Sequence, residues 1–349
     1  METPIGLLFV LISGTMVGCA MAPIRFMRSY RFENYWALYN LVATVLIPWG
    51  LAFATIPNLL GVYRQLPLHT LLVPALFAFS WGIASTLAGM CISRIGLSLT
   101  YALISGVGAS AGALVPLLYF SPRTLGTNAG RWVLLGVAII ILGVTIVAQA
   151  GREKEGREKV AAAANLGQGL SKSAMQGSFS AGLAMAILAG ILSAGLNFSF
   201  AFGQDISGAV GPNVSKLNAT YAVWAIAMLG GMIPTLGYAL VLCAKNRSWK
   251  RFAMTPLRDA PLSITMGVLF MGSVAFYGVG TVKLGLLGTS VGWAIMQVAQ
   301  IATGNVAGFL LGEWKIAGIH AIRRMFVGLA ILTVASVALA YGNYLQQIH

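Results

Sequence analysis

The chain has 349 residues, of which 58% are hydrophobic and only 9% are charged, and its formal net charge is +14. Soluble domains usually carry about 25% charged residues, so this composition excludes an ordinary soluble protein and indicates a chain that crosses a membrane many times. A net positive charge suggests a nucleic-acid partner in a soluble protein, but here the basic residues cluster in a few connections between apolar segments, so we expect a lipid bilayer and no nucleic acid.

Ten apolar segments long enough to cross a bilayer follow one another along the chain. A bilayer core of about 30 Å needs about 20 apolar residues in a helix. The first segment has no basic stretch before it and is followed by three arginines, so we expect a retained helix rather than a cleaved signal. The predicted spans are residues 4–24, 35–57, 71–92, 97–119, 132–150, 179–202, 219–243, 262–282, 286–312 and 326–346.

The distribution of basic residues predicts the orientation of these spans. The loops after the first, third, fifth, seventh and ninth spans hold 17 of the 22 Lys and Arg residues. Because cytoplasmic loops are enriched in Lys and Arg, these loops are predicted to be cytoplasmic and both termini periplasmic, in a bacterial inner membrane. The longest connection, residues 151–178, alternates charges and is rich in Ala and Gly, which is typical of a solvated linker.

The two halves of the chain share four features in the same order. An Ile-Pro pair occurs in the second and seventh spans, and the third and eighth spans both end in a glycine-flanked basic residue, in GMCISRIG and GVGTVKLG. The first and sixth spans share a Gly-Leu start with small residues four apart, and the fifth and tenth share a basic residue followed by glycine. A unit of five spans crosses an odd number of times, so its duplicate is upside down. The prediction is an all-α integral membrane protein with ten transmembrane helices in two inverted five-helix repeats, residues 1–150 and 179–349, joined by a cytoplasmic linker at 151–178.

Acidic residues are scarce and avoid the centres of the predicted spans. The chain has eight Asp and Glu residues. A charged group at the bilayer centre costs about 2.5–3.5 kcal/mol on insertion scales and normally marks an ion pathway, so its absence argues against a carboxylate at the midplane. Glu33, Asp205 and Glu313 lie at predicted helix ends, where we expect solvated charges.

Neutral polar stripes occur inside the spans instead. Trp293, Gln297 and Gln300 lie at i, i+4 and i+7 on one face of the ninth span, and Tyr101 and Asn197 lie on similar stripes of the fourth and sixth spans. Each such residue alone is more often interhelical hydrogen-bond glue than a ligand contact. Together they suit a neutral polyhydroxylated ligand, because a cation would require a carboxylate or an aromatic cage and an anion would require Arg or a helix N-terminus.

Catalytic and metal-binding patterns are missing from the sequence. It contains neither HExxH nor GxSxG, its three histidines lie at span ends or in the tail, and its three cysteines show no CxxC spacing. We therefore predict that the chain is not an enzyme and has no cofactor and no metal site. A membrane-embedded enzyme or scramblase is the alternative from another class.

Several motifs resemble the L-rhamnose/proton symporter family of the drug/metabolite transporter superfamily. They are IPWGLA in the second span, the run from Trp81-Gly82 to Pro116, RWVLLGVAIIILGVTIVAQAGREKE from Arg131, GILSAG in the sixth span, and SVGW and GEWKIAG around the ninth. The resemblance implies ten helices and uptake of a deoxyhexose, such as L-rhamnose or a related monosaccharide, with a proton. A metabolite or drug exporter on the same fold is the alternative, and the sequence indicates no oligomeric state.

A transporter of this kind needs a sugar site and a proton carrier. Aromatic rings are expected to stack on the sugar and amides to bind its hydroxyl groups. The resemblance implies proton coupling at Glu33, because this residue matches an acidic position in the first basic loop of the family. The predicted substrate-binding residues are Trp81, Tyr101, Asn197, Trp293, Gln297 and Gln300.

Overall fold

The structure is a computed structural model that describes residues 2–120, 126–165, 179–284 and 291–348. Every regular element in these ranges is helical, as predicted for an all-α membrane protein. The helices are α1 Glu2–Cys19, α2 Phe32–Asn40, α3 Ile47–Thr55, α4 Leu59–Gln65, α5 Leu68–Ile95, α6 Leu97–Phe120, α7 Asn128–Asn165, α8 Phe179–Phe202, α9 Gln204–Gly208, α10 Lys216–Met232, α11 Tyr238–Lys245, α12 Pro256–Leu284, α13 Val291–Leu310 and α14 Gly318–Ile348.

Eight helices in the described ranges are long and apolar enough to cross a membrane. They correspond to all the predicted spans except the fourth and the ninth. Those two spans fall on α6 and α13, whose apolar parts Leu97–Gly112 and Ile295–Leu310 are shorter. Each borders a stretch outside the described residues, 121–125 after α6 and 285–290 before α13.

The second and seventh spans each contain a π-helical turn beside an Ile-Pro pair. Residues Leu41–Leu46 form this turn between α2 and α3, and Ile233–Gly237 form it between α10 and α11, while the helix continues on both sides. Proline has no N–H to donate, and its ring clashes with the carbonyl four residues earlier. A wider turn accommodates the ring without ending the helix, and such turns often lie at functional sites.

The helices that open each half pack closely on two partners from the other part of the chain. Helix α1 packs on α12 and α13, α8 packs on α5 and α6, and α7 packs along α14. At Gly14 a Cβ atom would collide with the Met296 carbonyl oxygen of α13, and at Gly190 it would collide with Val107 of α6. These glycines let the helix backbones approach each other closely. In a bilayer this close packing holds helices together, because the hydrophobic effect does not drive apolar helices out of the equally apolar lipid.

Part of the predicted linker is helical. Helix α7 continues to Asn165, and residues 166–178 lie outside the described residues. Glu153 forms a salt bridge of 3.1 Å with Arg324 near the start of α14, and Lys154 Nζ lies 5.3 Å from the ring centroid of Trp314. The first part of this connection is therefore docked on the helix bundle.

A buried carboxylate fastens the connection between α1 and α2 to the start of α12. Asp259 is fully buried, and its Oδ2 accepts hydrogen bonds from the backbone N–H groups of Ser29 at 2.8 Å and Tyr30 at 3.0 Å. Its Oδ1 accepts the Arg28 N–H at 3.1 Å, and the Thr255 hydroxyl donates to Oδ2 at 2.6 Å. A buried charge is tolerated where its lone pairs are occupied in this way.

Substitution Asp259→Ala should destabilise the protein, because three backbone N–H groups and a hydroxyl lose their acceptor. Hydrogen bonds to a charged group contribute about 1.5–3 kcal/mol each, so the apparent Tm in detergent should fall by about 5 °C or more. Asp205→Ala is the matched control, since Asp205 is exposed near the start of α9. Equal Tm values for the two variants would contradict this role.

Candidate functional site

A central cavity lies among eight helices from both halves of the chain, α1, α2, α5, α6, α8, α10, α12 and α13. Its volume is about 120 Å³, whereas one water molecule needs about 10–15 Å³. None of the described residues that line it is charged. The cavity therefore has room for a small neutral molecule.

Aromatic rings form much of the cavity wall. Trp81 of α5 stacks on Phe270 of α12 with ring centroids 5.2 Å apart and an interplanar angle of 18°. Tyr277 meets Trp293 edge to face with centroids 5.6 Å apart. Rings held by such contacts present fixed faces and edges to a ligand.

Four polar groups on this wall are buried and unpaired. The Nε1 atoms of Trp36, Trp224 and Trp293 and the hydroxyl of Ser105 have no hydrogen-bond partner among the described residues. A buried polar group without a partner costs about 1–3 kcal/mol. Three of the tryptophans that line the cavity therefore carry an indole N–H that a small turn of the ring could offer to a ligand with oxygen acceptors.

Two further polar side chains join α6 to its neighbours across the cavity. The Tyr101 hydroxyl donates to the Val17 carbonyl oxygen of α1 at 2.8 Å. Gln297 Nε2 of α13 donates to the Ser105 carbonyl oxygen at 3.3 Å. These bonds fix α6 between α1 and α13.

The structure brings five of the six predicted substrate-binding residues to this cavity. Trp81, Tyr101, Trp293, Gln297 and Gln300 line it. Asn197 is not among the lining residues, and its Oδ1 accepts a long hydrogen bond of 3.4 Å from the hydroxyl of Tyr277, which does line the cavity.

Sequence reasoning missed Trp36, Trp224 and Tyr277, which also line the cavity. Each is an aromatic residue in a span where no polar stripe draws attention to it. Trp36 and Trp224 both lie about three helical turns before the Ile-Pro pair of their half. Comparing the two halves of the sequence could have identified them, because each half has a tryptophan at a similar distance before its Ile-Pro pair.

The expectation that acidic residues at helix ends are solvated is correct for Asp205 and wrong for Glu33. Asp205 is exposed, whereas Glu33 is only 3% exposed and accepts a hydrogen bond of 3.2 Å from Asn246. The start of α2 is buried because it packs against the end of α11. Glu33 does not line the central cavity.

Glu313 lies in a second cavity, which we call the basic cavity because Arg25, Lys154 and Lys315 also line it. Met21 and Ile92 line both cavities. Within the described ranges no group of three His, Cys, Asp or Glu side chains could hold a metal ion.

Residues 2–343 match the family described as L-rhamnose-proton symport protein. The chain belongs to this family. It is 27% identical to the L-rhamnose-proton symporter of Cronobacter sakazakii, 25% identical to that of Escherichia coli O1:K1 and 26% identical to that of Shigella boydii serotype 18. Each alignment covers 97% of this chain and 97% of the relative.

Membership of this family confirms the resemblance inferred from the sequence motifs. The relatives are named as symporters, which are transporters rather than enzymes. Together with the apolar helices, this identifies the chain as a multi-pass membrane transporter.

A cysteine in place of Ser85, which lines the central cavity, should react with a small methanethiosulfonate reagent. Ser199→Cys is the matched control, since Ser199 is fully buried, outside the cavity, and bonded to the Pro74 carbonyl oxygen. With the native cysteines replaced, we expect modification at position 85 to be about tenfold faster, because the reaction needs an accessible thiolate. Equal rates would contradict the described cavity.

Proposed function

We propose that the protein imports L-rhamnose or a related neutral monosaccharide together with a proton across the bacterial inner membrane. The observation that carries this proposal is an aromatic-walled cavity without a charged residue among those described, three of whose tryptophans have an unpaired indole N–H. The chain aligns with proteins named L-rhamnose-proton symporters over almost their whole length.

The chemistry of the cavity suits a sugar better than an ion. Sugar hydroxyl oxygens accept from indole N–H groups and amides, and the C–H faces of the ring pack on aromatic rings. A cationic substrate would instead favour a carboxylate, and none lines the cavity. We propose that Trp81, Tyr101, Trp293, Gln297 and Gln300 contact the sugar. Asn197 contributes by orienting the Tyr277 hydroxyl.

We further propose that ten helices form two inverted five-helix repeats, residues 1–150 and 179–349, joined by a cytoplasmic linker at 151–178. The helix pairs support this arrangement. Exchanging each helix for its counterpart in the other half turns the α1 contact with α13 into the α8 contact with α6. The two π-helical turns beside Ile-Pro pairs are related in the same way. In such folds the substrate lies between the halves and rocking gives alternating access.

Both termini are proposed to be periplasmic. The main support is the excess of Lys and Arg in alternate loops. The hydrogen bonds of Asp259 also join the loop after the first predicted span to the loop after the seventh, and both loops are predicted to be cytoplasmic. The assignment of the proton to Glu33 stays a prediction.

An exporter of metabolites or drugs on the same fold is not favoured. The named relatives couple their sugar to a proton as symporters. With the proton gradient directed into the cell, such coupling drives uptake.

A pulse of L-rhamnose should alkalinise the medium of de-energised cells that express the protein, because each sugar that enters takes a proton with it. The change is followed with a pH electrode and compared with cells that lack the protein. A proton ionophore should abolish the lasting signal. No signal with any deoxyhexose would contradict proton symport.

Replacing a cavity tryptophan by phenylalanine should weaken sugar binding without destabilising the free protein. Trp36→Phe, Trp224→Phe and Trp293→Phe each keep a ring but remove an N–H that is unpaired in the described residues. We expect a loss of about 1 kcal/mol, which raises Kd about fivefold, in a thermal-shift titration of purified protein.

Trp49→Phe is the matched control for this series. Its indole N–H is also buried and unpaired among the described residues, but Trp49 does not line the cavity. A loss of affinity in Trp49→Phe equal to that in the three cavity variants would argue against direct contact with the sugar.

A further inference from the structure

Glu313 differs from the other carboxylates described in the structure because it is close to both cavities. It lines the basic cavity, and it is bonded to α6, a helix that lines the central cavity. Glu33 is bonded to Asn246 and lines neither cavity, and Asp259 is enclosed by its four donors. Glu153 pairs with Arg324 at the surface, and Asp205 is exposed near the start of α9.

The Glu313 carboxylate holds the first turn of α6. Its Oε1 accepts the Leu97 N–H at 2.8 Å and its Oε2 accepts the Ser98 N–H at 3.1 Å. Its own backbone N–H donates to the Gly308 carbonyl oxygen at 3.0 Å, so the carboxylate ties α6 to the end of α13. A negative charge at a helix N-terminus is favourable, and it pairs N–H groups that the helix itself leaves open.

The part of α6 that Glu313 holds leads directly to the wall of the central cavity. Thr100 and Tyr101 follow within one turn and line that cavity, and the Tyr101 hydroxyl is bonded to the end of α1. Met21, just beyond α1, and Ile92 of α5 line both cavities and separate them. We call these two side chains the gate. A shift of α6 that lengthens the Tyr101 contact with α1 would loosen one side of the gate.

Several charged or titratable groups face the carboxylate across the basic cavity. A Cβ at Gly96 would lie 2.8 Å from Glu313 Oε2 and 3.5 Å from Lys154 Nζ, so these two groups meet at the start of α6. The groups that share the cavity are Lys154 of α7, Lys315 after α13, Arg25 after α1 and Tyr35 of α2.

A hydroxyl without a described partner lies beside the same oxygen. Ser98 Oγ is fully buried and has no hydrogen-bond partner in the ranges that the structure describes. Both Ser98 Oγ and Glu313 Oε2 lie against Gly308 of α13, where a Cβ would collide with the hydroxyl. A proton on Oε2 would therefore have an acceptor close to it.

We propose that Glu313 is the latch of the Met21 and Ile92 gate and that it binds the coupled proton. The proposal rests on the proposed proton symport. A proton passes from the central cavity along water between Met21 and Ile92 and adds to Oε2 in the basic cavity. Oε2 then no longer accepts the Ser98 N–H and instead donates its O–H to Ser98 Oγ. The first turn of α6 is then held by the Leu97 N–H bond alone, so α6 can shift and the gate opens. The proton then passes to water in the basic cavity, Oε2 again accepts the Ser98 N–H, and one positive charge has entered with one sugar.

The state of the gate can be measured without any sugar. A cysteine at Ala88, which lines the central cavity but not the basic cavity, reports gate opening through its labelling rate with a maleimide in a protein whose three native cysteines are replaced. Labelling also depends on pH because the thiolate is the reactive form of cysteine. To correct for this, the rate is divided by that of Arg152→Cys, a cysteine at an exposed position. Lowering the pH from about 8 to about 5 should raise the normalised rate about fivefold, and Glu313→Gln should label at the higher rate at both pH values.

Two further variants complete the labelling experiment. Glu313→Asp keeps a carboxylate and should keep a pH response, and Glu153→Gln, at the surface pair, should behave as the parent. A parent whose normalised rate does not change with pH would overturn the proposal, and that measurement needs no substitution at position 313. An unchanged pH response in Glu313→Gln would overturn it as well.

Transport in proteoliposomes separates this proposal from the proposed function. Glu313→Gln should keep L-rhamnose counterflow, which needs no net proton movement, and lose about tenfold of the uptake driven by a pH gradient. Loss of gradient-driven uptake in Glu33→Gln but not in Glu313→Gln would overturn the latch and support the sequence prediction. If the unsubstituted protein shows no counterflow with any monosaccharide, the proposed substrate is wrong, and the labelling experiment still decides whether Glu313 controls the gate.

Discussion

Close approach of helix backbones is the constraint on which the rest of this structure depends. In a bilayer the lipid is as apolar as a leucine side chain, so helices associate through packing and interhelical hydrogen bonds. Gly14 lets α1 lie against α13, and Gly190 lets α8 lie against α6. Helices α6 and α13 lie side by side in the wall of the central cavity, where Gln297 donates to the Ser105 carbonyl oxygen. A larger residue at either glycine would move a wall of the site.

The cavity leaves polar groups unpaired where a stable core would satisfy them. Buried hydrogen-bonding groups in proteins nearly always have partners. Four described groups that have none, three indole N–H groups and a hydroxyl, belong to residues that line this cavity. The free protein bears this cost, and a ligand with several oxygen acceptors removes it. The same arrangement favours a sugar over an apolar molecule of similar size, because a molecule without oxygen acceptors leaves the donors unpaired. Neutral donors also explain how a membrane protein can hold a polar site without a midplane charge.

Asp259 and Glu313 hold helix ends and do not line the central cavity. Asp259 and Glu313 each accept backbone N–H groups from another part of the chain, at the start of α2 and the start of α6. At the membrane boundary a carboxylate can be both buried and paired, so it fastens a connection at a small desolvation cost. The difference between the two lies in their surroundings, since Asp259 has four donors and Glu313 faces a cavity.

The amino-acid sequence alone determined the class of the protein, because composition and the length of apolar runs follow directly from the thickness of a bilayer. Periodicity also brought Trp293, Gln297 and Gln300 to one helix face, and the structure brings them to one cavity. Asn197 lies outside the lining residues, because the rotation of a helix in a bundle depends on its neighbours rather than on its own pattern. Only the tertiary structure decided that Trp36 and Trp224 reach the cavity, that Glu33 is buried, and that Glu313 holds α6. Each of these facts rests on contacts between residues that are far apart in the chain, and no local pattern encodes them.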